Sequence, residues 1–172
     1  NTATLSLSIP SVGSKDFTDL STYSVAGKVT QTCASCEVGF QTDSLNGVQI
    51  GVTKNGVILP SSTTGASVYG RYANTFTDPG TYKFTPSKTG HRFNPAHQDV
   101  TIINTDVSGI NFADTTQYTI SGVLRAGANE IIGSAQLEFT DTVAGRTTKF
   151  KKIVNTAADG SFSVTLPARM YK

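Results

Sequence analysis

Tryptophan is absent from the 172-residue sequence, methionine occurs once, and only 15% of the residues are charged. An average soluble protein has about 25% charged residues. The 14 basic and 12 acidic residues are scattered along the chain, and the longest basic cluster consists of Lys149, Lys151 and Lys152. Binding to a phosphate backbone needs a concentrated basic surface. Nucleic acid is therefore not an expected partner.

Long apolar runs are also missing, because no segment approaches the roughly 20 apolar residues that a membrane-spanning helix needs. The sequence predicts no membrane span. It begins with Asn1 instead of methionine, and it has no basic head followed by an apolar segment and a small-residue cleavage site. We therefore expect an extracellular or cell-surface chain from which a secretion signal has been removed.

Cysteine occurs only twice, as Cys33 and Cys36. A four-cysteine zinc site would need a second pair, and covalent haem attachment needs a histidine where Glu37 stands. A thioredoxin-type pair opens a helix in an α/β pattern, whereas this pair follows a predicted strand. The favoured interpretation is a local disulfide, formed in an oxidising compartment, that restrains the loop before Gly47.

Residues suited to catalysis are few. The two histidines, His91 and His97, lie in a strand entering a proline-containing turn, with Asp99 as the nearby acid. We expect both on the surface and keep a metal or catalytic pair as the alternative. The sequence has only three glutamates, so a pair of carboxylates that catalyses hydrolysis is not expected. It also has no phosphate loop and no dinucleotide fingerprint. The chain is expected to be no enzyme and to bind no cofactor or metal.

Threonine and serine are abundant instead, with 26 and 17 copies that make up a quarter of the chain. Both residue types disfavour helices. Apolar residues recur with a period of two, as half-buried strands require, and Asn-Gly and Asp-Gly pairs separate the runs. The sequence therefore predicts an all-β sandwich. The predicted core of its first part consists of Val25, Val29, Val48, Ile50, Val52, Tyr82, Phe84, Ile102, Ile110 and Phe112.

The sequence also repeats itself, which predicts two copies of one β-unit. Residues 1–21 form an N-terminal strand and linker, residues 22–115 the first sandwich unit, and residues 116–172 a second unit. That second unit is expected to be incomplete, because it stops before the equivalents of residues 84–113; either the chain has been cut at Lys172, or another chain completes the unit. Four segments match, first copy before second: Tyr23–Val29 with Tyr118–Leu124, Gly47–Thr53 with Ser134–Thr140, Asp78–Gly80 with Asp159–Gly160, and Tyr82–Lys83 with Tyr171–Lys172.

The motifs of the first unit resemble a known group of repeats. They include Tyr-x-Val-x-Gly at 23–27, Thr-Pro-Ser-Lys-x-Gly-x-x-Phe-x-Pro at 85–95 and Val-x-Gly-Ile-Asn-Phe at 107–112. The chain is similar to the tandem carboxypeptidase-regulatory-like, transthyretin-like and collagen-adhesin B-type β-sandwich repeats of prokaryotic surface proteins. This resemblance implies immunoglobulin-like or transthyretin-like units with stalk, spacer, adhesive or filament-forming roles and without catalysis.

The resemblance also raises the question of a covalent crosslink. Some collagen-adhesin B-type domains join a lysine of the first strand to an asparagine of the last, and Lys28 and Asn111 occupy such strands here. Lys28 alternates with the apolar Val25 and Val29, so we expect it to face solvent. Since no glutamate between Glu37 and Asn111 can supply the assisting acid, we do not expect this crosslink.

Residues 1–12 predict an uncharged strand, with Ala3, Leu5, Leu7 and Ile9 on one face and threonine and serine on the other. Two interpretations stay open. The strand packs on its own first unit, or it leaves its subunit and completes another, because an apolar strand needs a partner. The second interpretation predicts a head-to-tail homopolymer, and hence a structural filament or repeat array at the cell surface.

The alternative function is an adhesion or binding module. Its partner would be a glycan or a surface protein held by loops such as 61–65, with Tyr69 and Tyr72 as candidate sugar platforms.

Overall fold

The computed structural model of the chain describes residues 21–65, 69–128, 130–142, 147 and 149–172. These residues form strands and turns and no helix, which confirms the all-β prediction. The described part of the chain thus has no helix that could cross a membrane. The strands are β1 (Tyr23–Thr32), β2 (Thr42–Ser44), β3 (Gln49–Lys54), β4 (Val57–Thr63), β5 (Arg71–Phe76), β6 (Gly80–Ser87), β7 (Phe93–Asn94), β8 (Gln98–Ile102), β9 (Phe112–Asp114), β10 (Gln117–Val123), β11 (Arg125–Ala126), β12 (Glu130–Ile131), β13 (Gln136–Thr140), β14 (Lys151–Asn155) and β15 (Ser161–Pro167).

Strands β1 to β9, here called the first unit, form a sandwich of two sheets. One sheet has the order β2-β1-β9-β7 with β5 also on β1, and the other has the order β4-β3-β6-β8. Side chains alternate between the core and solvent, as along β6, where Tyr82 and Phe84 are buried between exposed neighbours. The predicted core is confirmed: nine of its residues are buried, and Ile110 is half-buried and packs against them.

Strands β10 to β15, here called the second unit, repeat the backbone contacts of the first. In the first unit, the Thr64 hydroxyl donates to the Leu45 carbonyl at 2.9 Å and accepts from the Val48 amide at 3.0 Å. The same two bonds recur in the second unit at 3.2 and 3.0 Å. The residues that make them there are Thr156, Ile132 and Ala135.

The turn before β15 corrects one predicted match. The Leu124 amide donates to Gly160 at 2.9 Å, just as the Val29 amide donates to Gly70 at 2.9 Å. In addition, β15 pairs with β10 as β5 pairs with β1. Gly160 is therefore the equivalent of Gly70, and its match with Asp78–Gly80 was wrong. An Asp-Gly turn before an aromatic strand is a local pattern, whereas the position in a sheet depends on the strand's partner.

The match of Tyr171–Lys172 with Tyr82–Lys83 agrees with the structure. The Tyr171 hydroxyl donates to the carbonyl of Pro167, four residues earlier, at 3.1 Å, and Tyr82 contacts Asp78 in the same way. Burial raises the pKa of Tyr171 to about 12. Lys172 exchanges two backbone bonds with the end of β13, at 3.0 and 3.1 Å. Residues 171–172 thus begin, beside β13, the position that β6 has beside β3.

Candidate functional site: the junction between the two units

The disulfide lies where the first unit meets the second. Cys33 and Cys36 directly follow β1 and are joined, with their Cα atoms 5.4 Å apart. Both are buried, and they pack in one apolar cluster with Phe150, Val164 and Leu166 of the second unit. The cysteine pair therefore forms part of the second unit's core, a role that the sequence did not predict.

The loop that follows the disulfide is also bonded to the second unit. The Glu37 amide donates to the Lys151 carbonyl at 2.8 Å, and the Ile153 amide donates to the Glu37 carboxylate at 3.3 Å. The Ser35 hydroxyl donates to the Thr165 carbonyl at 3.2 Å. Through these bonds the loop runs along β14 and β15, which secures the first unit to the second by its backbone as well as by the buried cysteines.

Arg169 makes the return contact from the second unit. Its Nη2 lies 2.8 Å from Asp43 Oδ2, its Nε donates to Gln31 Oε1 at 2.7 Å, and its Nη1 donates to Asp141 Oδ2 at 3.3 Å. The guanidinium also lies 4.6 Å from the centre of the Phe150 ring. Its side chain is only 10% exposed, and those of the two aspartates are 5% and 2% exposed. Such a buried cation is tolerated only when it is paired and hydrogen-bonded, as it is here.

The polar contacts continue from Gln31 into the first unit. Gln31 Nε2 donates to Asp114 Oδ2 at 2.9 Å, and His91 Nδ1 lies 2.8 Å from the same oxygen. Asp114 Oδ1 accepts the Thr116 amide at 3.0 Å. Gln31 and Asp114 are fully buried. A continuous chain of polar side chains therefore runs from His91 to Arg169 and on to Asp141, and we call it the junction network.

Lys88 lies beside this network. Its ammonium group donates to the Asn46 carbonyl at 2.7 Å. Partial burial lowers the pKa of Lys88, while the Asp114 carboxylate acts in the opposite direction. Lys88 and His91 come from the segment between β6 and β7, so this segment contributes two side chains near Asp114.

The two histidines differ from each other. His97 is exposed, as predicted. The prediction of a surface position was wrong for His91, whose side chain is 11% exposed because it bonds to the buried Asp114. The described residues contain no group of three or more histidine, cysteine, aspartate or glutamate side chains that could hold a metal ion. The contacts of the junction network are suited to holding two units together.

Lys28 and Asn111 are neighbours, although their contact runs through the backbone. The Asn111 amide oxygen accepts the Lys28 backbone N–H at 2.9 Å. Lys28 is half-buried and lies on the face of β1 opposite the buried Val25 and Val29. It lines a cavity of about 500 Å³ together with Asp43, Tyr69 and Lys149, among others.

The two candidate sugar platforms differ in their exposure to solvent. Tyr69 is 69% exposed, whereas Tyr72 is 5% exposed and its hydroxyl donates to the Ile110 carbonyl at 2.6 Å. Tyr72 is therefore a core residue. The predicted loop at 61–65 is also different, because residues 61–63 belong to β4 and Thr64 is buried.

The predicted association strand, with Ala3, Leu5, Leu7 and Ile9, lies outside the described residues. Its role stays a prediction.

No protein-family model matches the chain, and no curated protein matches it. Solved structures do. The Bacillus anthracis TIE protein is 15% identical with a TM-score of 0.50, and the match covers 88% of this chain and 27% of that one. A streptococcal ancillary pilin is 15% identical with a TM-score of 0.40, and the match covers 87% of this chain and 52% of the pilin. The shaft pilin SpaA from Lactobacillus rhamnosus GG is 12% identical with a TM-score of 0.43, and the match covers 86% of this chain and 83% of SpaA.

These coverages mean that the chain spans about a quarter of the TIE protein and about half of the ancillary pilin. At 15% identity, the similarity to the TIE protein supports the β-sandwich fold and nothing further.

Proposed function

We propose that the chain is an extracellular structural protein, a subunit of a cell-surface filament or repeat array, whose work is mechanical and associative. The observation that carries this proposal is the junction between the units. Its buried disulfide, the loop bonded along β14 and β15, and the Arg169 contacts join two sandwich repeats. Polar contacts buried between repeats restrict their relative movement, and a load-bearing rod needs this property.

The proposed assembly mechanism is strand donation. Residues 1–12 would leave their subunit and pair with a sheet edge of the next one, where Leu5, Leu7 and Ile9 would be buried. The linker 13–20 would reach roughly 25 Å when extended, at about 3.3 Å per residue. Because donor and acceptor are different surfaces, the contact would repeat without closing and would give a filament.

Sedimentation of the full chain tests this proposal. We expect concentration-dependent large species for the unmodified chain and a monomer for Leu7→Asp, because a charge would have to be buried in the acceptor. The circular dichroism spectrum of the Leu7→Asp chain should match that of the unmodified chain, because the first unit stays folded. Ser6→Ala is the matched control, since it alters the opposite face of the same strand, and it should still assemble. A monomeric unmodified chain, or assembly of Leu7→Asp, would contradict strand donation.

The second candidate function, adhesion to a glycan or a surface protein, has one observation in its favour. The exposed Tyr69 lies at the cavity of about 500 Å³ beside Lys28 and Asp43, and exposed aromatic rings next to polar groups suit sugar binding. Retention of a strictly monomeric sample on a glycan array, lost in Tyr69→Ala, would favour this function over the structural one.

A further inference from the structure

The sequence contains two Asn-Gly pairs, Asn46–Gly47 and Asn55–Gly56. In such a pair the asparagine side chain is reactive, because the glycine has no side chain that shields its backbone nitrogen from the neighbouring amide carbon. Both pairs have the same local chemistry. The structure around each pair therefore decides how readily it reacts.

The Asn46–Gly47 peptide is held by hydrogen bonds on both of its sides. The Asn46 carbonyl accepts the Lys88 ammonium group at 2.7 Å, and the Gly47 N–H donates to the Thr64 carbonyl at 2.8 Å. The side-chain oxygen Oδ1 of Asn46 is buried. The next residue, Val48, is fully buried in the core of the first unit. Any reorientation of this peptide would break both hydrogen bonds beside a packed core.

The Asn55–Gly56 peptide forms the tip of the β3–β4 hairpin. Its two residues have φ angles of 52° and 80°, as a two-residue type I′ turn requires. The last paired residues of the hairpin are Lys54 and Val57. Neither the Asn55 carbonyl nor the Gly56 N–H has a hydrogen-bond partner among the described residues. Both residues are exposed, so this peptide can turn without the loss of a described contact.

We infer that Asn55 is a site of spontaneous deamidation and that the fold protects Asn46 from the same reaction. The Gly56 backbone nitrogen attacks the Cγ carbon of the Asn55 side chain and loses its proton to water. The new nitrogen–carbon bond closes a cyclic imide, and the bond from Cγ to the amide nitrogen breaks, so that ammonia leaves. Water then opens the imide at either carbonyl, which leaves aspartate or isoaspartate at position 55.

The difference in rate between the two sites follows from the local structure. Attack requires the peptide plane to turn toward the side chain. At Asn55 this movement breaks no described hydrogen bond, whereas at Asn46 a local opening that breaks two of them must come first. The loss of two hydrogen bonds should slow the reaction at least about tenfold.

The reaction also changes the hairpin. Isoaspartate routes the main chain through the side-chain carbon and so lengthens a turn whose two residues fix the register of β3 against β4. Strand β4 is at the end of its sheet and pairs only with β3 among the described strands, whereas β3 is also held by β6. The loosening should therefore be confined to β4.

Peptide mapping of the full chain tests the inference. The folded protein is incubated at mildly alkaline pH and digested with trypsin, which cleaves after Lys28, Lys54 and Arg71 and so separates the sites into peptides 29–54 and 55–71. Mass spectrometry should detect conversion of amide to acid in peptide 55–71, and at least about tenfold more slowly in peptide 29–54. In chain unfolded by denaturant with its disulfide reduced, the two sites should react at similar rates.

Three variants provide the controls. Asn55→Gly suits the same turn and removes the side-chain amide, so its peptide 55–71, which contains no other asparagine or glutamine, should show no conversion. Lys88→Met removes the bond to the Asn46 carbonyl and should raise the rate at Asn46. Lys83→Met changes an exposed lysine of β6 and should leave that rate unaltered.

Hydrogen exchange of an aged sample measures the structural consequence. The amides of β4 should exchange faster than in a fresh sample, while β6 and β8 keep their protection. An aged sample of Asn55→Gly should exchange like a fresh one.

Three outcomes would overturn the inference: equal rates at the two sites of the folded chain, faster conversion at Asn46, or no conversion at Asn55 in folded chain when both sites convert in unfolded chain. The masses and exchange rates are recorded on dilute protein. Their outcome is therefore independent of the proposed assembly and leaves the proposed function to its own test.

Discussion

Arg169 joins four parts of the chain: Gln31 in β1, Asp43 in β2, Asp141 after β13, and Phe150 before β14. A buried pair of charges is weak evidence for net stability, but removal of one partner leaves an uncompensated charge. The consequence at the residue scale is that Arg169 should be sensitive to substitution in a way that surface arginines are not.

Arg169→Met tests this consequence. We expect a loss of about 3 kcal/mol or more in the free energy of unfolding, because Asp43 and Asp141 stay buried without the guanidinium. Arg125→Met is the control, since Arg125 is exposed, and its effect should stay within about 0.5 kcal/mol. Denaturant titration measures both. A loss below about 1 kcal/mol for Arg169→Met would contradict the structural role of the junction network.

The residues of the junction network were missed by sequence reasoning, although one signal was present. Gln31 continues the inward-facing series Val25, Gly27 and Val29, so a polar side chain stands at a core position. Such a residue needs a buried partner. The partners themselves, Asp114 and Arg169, are separated from Gln31 by 83 and 138 residues. A single sequence does not reveal contacts over such distances.

At the scale of elements, strands were predictable and their partners were not. The period of two located the buried positions of β1, β3 and β6, because the pleat alone decides which face a side chain takes. The Asp159–Gly160 turn was matched with the wrong turn of the first unit, since a turn motif carries no information on the partner of the strand that follows it. Tyr72 was expected to be exposed. It is buried because its strand, β5, pairs with the inner strand β1.

One prediction at the scale of elements concerns the effect of removing the disulfide. Its loop is short, so the entropic stabilisation should be near the low end of the usual range of about 2–4 kcal/mol. Its larger effect should come from its place in the core of the second unit. We expect Cys33→Ala/Cys36→Ala to raise amide hydrogen exchange in β14 and β15 while β3 and β6 keep their protection.

Two observations would contradict this view of the disulfide. One is equal loss of protection in both units of the double variant. The other is detection of two free thiols in unreduced, denatured protein, since the proposed extracellular chain should contain none.

At the scale of the whole molecule, two copies of one β-unit share a buried junction. The repeat itself could be predicted from the sequence, because Tyr23–Val29 and Tyr118–Leu124 are alike. The junction could not, since it depends on residues that differ between the copies, such as Cys33 and Arg169. The proposed structural role rests on this junction, because its buried polar contacts restrict the relative movement of the two units.

Electron microscopy of the full chain, beside the same chain lacking residues 1–12, tests the structural role most directly. We expect unbranched fibres from the full chain at high concentration and separate, folded particles from the shortened one. Separate particles from both, at every concentration, would contradict it.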